Sequence, residues 1–285
     1  MDIRIYNKVR IHAKQFLCLG MLVFLTASCE KDIDVDYRQV NPLYVAEATV
    51  TPSGTNVWLR TTQAVTDNSR DGHGVSGATI TLSEVMPNGN LDQLATLQHK
   101  RDGHYTANIK GVPGTTYFID INLDGTHYTS SSTMQEAPVI NSFRFVWQKV
   151  VSERMLFAEL KVQDAPNKAS FYFMHIYRNN VGYRWAVMSD ENNPNGELQQ
   201  LFQCTTERDM NDNEEDALKD GDLIHLEVRA IDRLSYNYLY SMQVMSNSGT
   251  NPIANFTNGC LGYFSAYSDV MLNKVFYRAE VEEDK

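Results

Sequence analysis

The sequence predicts a mostly β protein: two β-sandwich domains, residues 42–136 and 138–282, with one short helix in the second near 235–246. Apolar and polar residues alternate with period two from Leu43 onward, which points to strands. Turn dipeptides at Asn88-Gly89, Asp102-Gly103 and Asp124-Gly125 supply the positive φ that tight hairpins need. A single stretch, after Ser235, switches to the helical period.

The chain opens on a different chemistry. Arg4, Lys8, Arg10 and Lys14 precede an apolar run from Phe16 to Leu25, and Thr26, Ala27 and Ser28 lead into Cys29. A cationic segment, a short apolar run and small residues are the parts of a lipoprotein signal peptide over residues 1–28. The run is about half of what a membrane-spanning helix needs. A cysteine directly after the small residues points to cleavage before Cys29 and lipidation of its sulfur, a tether that does not span the membrane. Thr26 stands where such signals usually carry Leu, so cleavage without lipid is the alternative. Residues 29–41 form an acidic tether that begins EKDIDVD after the cysteine. It reads both as a solvated linker and as a signal for display on the outer face of an outer membrane.

Loss of the signal removes four cations and one anion, so the net charge of −10 becomes −13. Nucleic acid rewards clusters of Lys and Arg, which disfavours it as a partner here. Anionic lipid is disfavoured for the same reason, and attachment falls to the tether. At 42% hydrophobic residues, the chain has the composition of a folded protein.

In the first domain the strands are expected at Leu43–Val50, Asn56–Thr61, Ala78–Glu84, Tyr105–Ile109, Thr116–Leu123 and Thr126–Thr133. Thr62–Gly77 is a long, polar, glycine-rich connection. Ala137-Pro138 reads as the linker. The second domain is expected to hold strands at Ile140–Val146, Met155–Val162, Phe171–Arg178, Tyr183–Ser189, Leu223–Ile231, Leu261–Tyr267 and Lys274–Val281. Phe171–Tyr177 (FYFMHIY) is nearly all apolar and predicts a central strand buried on both faces. Ser235 is placed to cap the helix, with Leu239, Met242 and Met245 on its buried face.

Candidate chemistry is sparse. The motifs of a serine hydrolase elbow, a zinc protease helix or a phosphate-binding loop do not occur. Asp209, Asn211 and Asn213 alternate as calcium ligands do, but Glu214 and Asp220 occupy the positions that need Gly and Glu, so a solvated acidic loop is the competing reading. Cys204 and Cys260 are either a disulfide or two buried thiols. His99, His104 and His127 share the first domain without ligand spacing, and His73 lies in its loop. His175 and His225, flanked by apolar residues, read as core histidines. Trp58, Trp147, Trp185 and fifteen tyrosines supply material for a sugar- or peptide-binding platform.

The lipid cysteine followed by Glu-Lys-Asp, Pro42–Val45 (PLYV), Gly74–Leu82 (GVSGATITL) and the ending Asn251-Pro252, Asn255, Gly259 and Leu261–Phe264 resemble an uncharacterised family of Bacteroidetes outer-membrane lipoproteins. Its members carry a domain of unknown function over nearly the whole mature chain. The first domain is also similar in pattern to the small carboxypeptidase-regulatory-like sandwich, and both domains are expected to be sandwiches of the immunoglobulin-like or carboxypeptidase-regulatory-like kind. The resemblance implies a place beside a TonB-dependent transporter and carries no catalytic residue or cofactor with it. The expected function is therefore non-catalytic binding of a ligand or transporter at the outer membrane. The alternatives are an adhesin or envelope scaffold, and a hydrolase assembled from scattered groups.

Overall fold

The computed structural model describes residues 42–62, 73–163, 169–191, 196–245 and 252–283. The signal, Cys29, the acidic tether and most of the Thr62–Gly77 connection lie outside them. Strands β1–β8 are Tyr44–Thr51, Gly54–Thr61, Thr79–Val85, Leu91–Thr96, Gln98–Arg101, His104–Ala107, Thr116–Leu123 and Thr126–Thr133. Then come β9 (Val139–Val150), β10 (Glu153–Gln163), β11 (Phe171–Arg178), β12 (Val181–Ser189) and β13 (Glu197–Thr206). Helix α1 (Glu207–Asn211), β14 (Leu223–Ile231), helix α2 (Arg233–Met245), β15 (Leu261–Ala266), β16 (Ser268–Val275) and β17 (Glu282–Glu283) complete the chain. Among the described residues no helix is long and apolar enough to cross a membrane.

Four sheets make two sandwich-like pairs. A five-stranded sheet in the order β15-β1-β2-β6-β5 faces a four-stranded sheet in the order β4-β3-β7-β8. Ala46, Ala48, Val57 and Leu59 of one meet Ile80, Leu82, Ile119 and Ile121 of the other in a common core. These are the inward positions of the expected alternation. The second pair sets β13-β10-β9-β17 against β12-β11-β14-β16. Its core joins Leu156, Ala158 and Leu160 to Met174, Ile176, Leu226 and Val228.

A boundary near residue 137 does not separate the two. Strand β15, from the end of the chain, runs parallel to β1 as the edge of the first sheet, with Ala46 beside Gly262 and Ala48 beside Phe264. Phe256, Cys260, Phe264 and Ala266 belong to the first core. Side chains secure the return: Ser132 Oγ accepts from the Ala266 amide at 2.8 Å, and Ser130 donates to Asn255 Oδ1 at 2.6 Å. The first sandwich is thus completed by residues that sequence order assigns to the second. A local reading has no access to a pairing across more than two hundred residues.

Helix α2 starts two residues before Ser235. Asp232 caps it, with Oδ1 accepting from the Ser235 amide at 2.8 Å, while its Oδ2 accepts from the Thr133 amide at 3.0 Å. One carboxylate therefore closes the helix and holds the end of β8. Ser235 is fully buried and donates to the Phe264 carbonyl at 3.3 Å. Leu239 is buried as expected, but Met242 faces solvent. The last expected strand, Lys274–Val281, is displaced: β16 occupies Ser268–Val275 as an edge strand against β14.

Gly262 has φ +92°, and a Cβ there would lie 2.0 Å from the Ala46 carbonyl oxygen. Gly259 also has positive φ, but its Cβ would meet nothing within 4 Å. We expect Gly262→Ala to cost about 4 kcal/mol or more, and Gly259→Ala only about 1–2 kcal/mol of backbone strain. Urea unfolding of both variants checks the difference.

Candidate functional site

The β11 run FYFMHIY divides by strand alternation. Tyr172, Met174 and Ile176 enter the second core. Phe171, Phe173, His175 and Tyr177 therefore point to the opposite face of the sheet. Helix α2 covers the Phe171 end, where Tyr236 packs at a ring distance of 4.9 Å. Beyond it, among the described residues, no element covers the face, and Phe173, His175 and Tyr177 are only half-buried, so the strand is central but not buried on both sides. His175 and His225 are on this open face, not in the core; apolar sequence neighbours in a strand point the other way.

Aromatic rings form a continuous surface there. Trp185 and Phe173 stand 6.0 Å apart, Phe173 and His175 5.9 Å, His175 and Tyr177 3.9 Å, and Tyr177 and His225 5.8 Å. Trp185 is 39% exposed. Gly182, opposite Tyr177, keeps the surface clear, since a Cβ there would lie 3.1 Å from His175 Nε2. His225 Nδ1 is 2.6 Å from Asn273 Oδ1, which gives the far side a polar rim.

A buried ion pair supports the platform from its centre. Arg229 grips Glu227 through Nε at 2.7 Å and Nη2 at 2.9 Å. Its guanidinium lies 5.1 Å from the Phe173 ring centre and 4.6 Å from that of Tyr267. Burial works against its charge, but Glu227, together with Tyr267 and Tyr263, holds Arg229 above its ordinary range. Burial first, then Arg229, push His175 below its ordinary value. It is a neutral imidazole at pH 7, able to donate through one nitrogen and accept through the other. Burial, then Glu227, raise Tyr177, which stays a phenol.

The face thus offers flat rings, neutral hydrogen-bonding groups and an internally neutralised ion pair. That arrangement suits stacking against a neutral ligand with an apolar face. Beside it, at the hairpin end of β11 and β12, a depression of about 450 Å³ is lined by residues that include Arg178, Gly182, Tyr183 and Arg184.

The other sequence-predicted groups fall elsewhere. Cys204 and Cys260 do not pair; each is a free buried thiol, one in each core. Burial pushes both up to about 12, which leaves them poor nucleophiles. Asp209 and Asn211 lie on helix α1, where Asn211 Oδ1 accepts from Arg278 at 2.8 Å, so the alternating spacing does not make a calcium loop. His99 and His104 are on β5 and β6, while His127 is on β8 of the other sheet beside Asp120. They do not converge, and among the described residues no cluster of His, Cys, Asp and Glu is arranged to hold a metal. Sequence reasoning missed Phe173, Tyr177, Glu227 and Arg229 as a group. The signal was present in the alternation of FYFMHIY and of LIHLEVRAI, which sends these residues to one face.

Arg229→Met leaves Glu227 buried without its partner and is expected to cost about 3–5 kcal/mol. Adding Glu227→Gln restores part of that loss. Urea unfolding of the single and double variants measures the coupling.

Among known families, one whose members carry a domain of unknown function, DUF4249, matches residues 30–272. No curated protein matches the chain. The family match spans both sandwiches and includes Trp185, Phe173, His175, Tyr177, His225, Glu227 and Arg229. With most of its length matched, the chain belongs to the DUF4249 family.

Proposed function

We propose that this protein is a non-catalytic, lipid-anchored binding protein of the bacterial outer membrane, displayed at the cell surface, that captures a neutral saccharide and serves a TonB-dependent transporter in nutrient uptake. The observation that carries the binding part is the open aromatic face running from Trp185 through Phe173, His175 and Tyr177 to His225. Sugar rings present an apolar face to aromatic side chains and hydroxyls to neutral donors and acceptors; this surface offers both. The anchor part rests on Cys29 after the apolar run, and the surface part on the acidic EKDIDVD. The sandwiches are taken as modules of the immunoglobulin-like or carboxypeptidase-regulatory-like kind, a scaffold that presents faces and loops.

Isothermal titration of the detergent-solubilised protein with neutral hexose and pentose oligosaccharides tests this reading. Binding is expected, and Trp185→Ala should weaken it about tenfold, the equivalent of one lost stacking contact of about 1.4 kcal/mol. Binding unchanged in Trp185→Ala, or no binding by any saccharide, contradicts it. Mass spectrometry of the mature N-terminus should find lipid on Cys29.

A further inference from the structure

Sheet edges expose unpaired backbone groups, and proteins cover, charge or pair them. Strand β9 runs for 12 residues. Among the described residues its outer side is paired by the two residues of β17 alone, Glu282 beside Val146 and Glu283 beside Trp147, in parallel. Among the described residues no strand lies next to Val139–Phe145 on that side.

Cations line this edge of an acidic protein. Arg144 holds Glu159 through Nε at 2.7 Å and also holds Glu282. Arg154 holds Glu207 and Glu283. Trp147, buried between strands, has the guanidinium of Arg154 4.6 Å from its ring centre and that of Arg278 at 5.8 Å. Each of Arg144 and Arg154 therefore has one acid from the body of the sandwich and one from the tail. The tail acids are 55% and 66% exposed, so their ion pairs are weak and screened by salt. Consecutive strand residues point to opposite faces. Arg144 thus receives an acid on one face of the sheet and Arg154 receives the next acid on the other. Val281, just before them, packs on the core.

We infer that the β9 edge is a docking groove for an extended acidic segment of a partner protein, and that Glu282 and Glu283 occupy it as a displaceable latch. The groove selects an apolar residue followed by two consecutive acids. Main-chain bonds to β9 hold the segment, as in other strand-addition complexes, and the two arginines choose its charge. A longer segment gains what the latch does not use, the free edge along Val139–Phe145.

The probe is a fluorescent peptide of sequence Ala-Glu-Val-Glu-Glu-Asp-Lys, copied from residues 279–285. Its anisotropy is read with the full chain and with the E282K/E283K variant at low salt. Release of the latch is expected to tighten peptide binding about tenfold by removing the internal competitor. A peptide with Lys at the two consecutive Glu positions should bind neither protein. Hydrogen exchange at residues 139–147 should slow when excess acidic peptide is added, a readout that also works on the unaltered chain if the variant melts early. Equal affinity of the two proteins, equal binding of the charge-reversed peptide, or unchanged exchange in β9 would overturn the inference. So would a concentration-dependent dimer of the unaltered chain held by exchanged tails, because the occupant would then be a second copy.

Discussion

Parallel pairing of β15 with β1 governs how the remainder of this molecule is arranged. A parallel pair needs a crossover between its strands, and here it runs through β2–β8 of the first sandwich and β9–β14 of the second. The first sheet has its full set of strands only when residues 261–266 have returned to it. Gly262 makes the return possible, because its backbone approaches the Ala46 carbonyl more closely than any side chain allows. Strand β16 follows at once and forms the edge of the second sandwich's outer sheet. One short stretch of chain thus serves both sandwiches, and their relative placement follows from a backbone pairing rather than a flexible linker.

The aromatic face depends on that joint. Tyr267 sits between β15 and β16, and Arg229 lies over its ring. The charge of Arg229 also acts on the Tyr263 phenol of β15, so the ion pair of the platform reaches the first sheet's edge. Tyr263 in turn stacks with Tyr238 of helix α2 at a ring distance of 5.0 Å. The exposed rings therefore adjoin a packed layer of aromatic and charged groups drawn from three elements. Ordering of this kind lowers the entropy that a binding surface loses when it engages a ligand.

Much of the strand pattern was legible. Thr116–Leu123 and Thr126–Thr133 form where alternation and the Asp124-Gly125 turn place them, and Phe171–Arg178 and Leu223–Ile231 have the expected bounds. What escaped has physical reasons. Gln98–Arg101 is exposed at all four positions, so no burial pattern marks it as a strand. A continuous apolar run such as FYFMHIY hides which side is covered, because its outer residues are aromatic rather than polar. Two adjacent glutamates carry no strand signal at all; Glu282 and Glu283 are a strand because β9, with its Arg144 and with Arg154 of β10, receives them. Long-range partners of this sort, like β15 for β1, leave no trace in local periodicity.

The joint itself makes the most direct test. Trp58 lies in the first sandwich, and Trp147 and Trp185 lie in the second. Variants that retain only one reporter in each sandwich let denaturant unfolding be followed separately in the full chain. Because β15 completes the first sheet and is covalently continuous with the second, the two probes should give one cooperative transition with coincident midpoints. Two separated transitions, with the first sandwich melting or persisting on its own, would contradict the account.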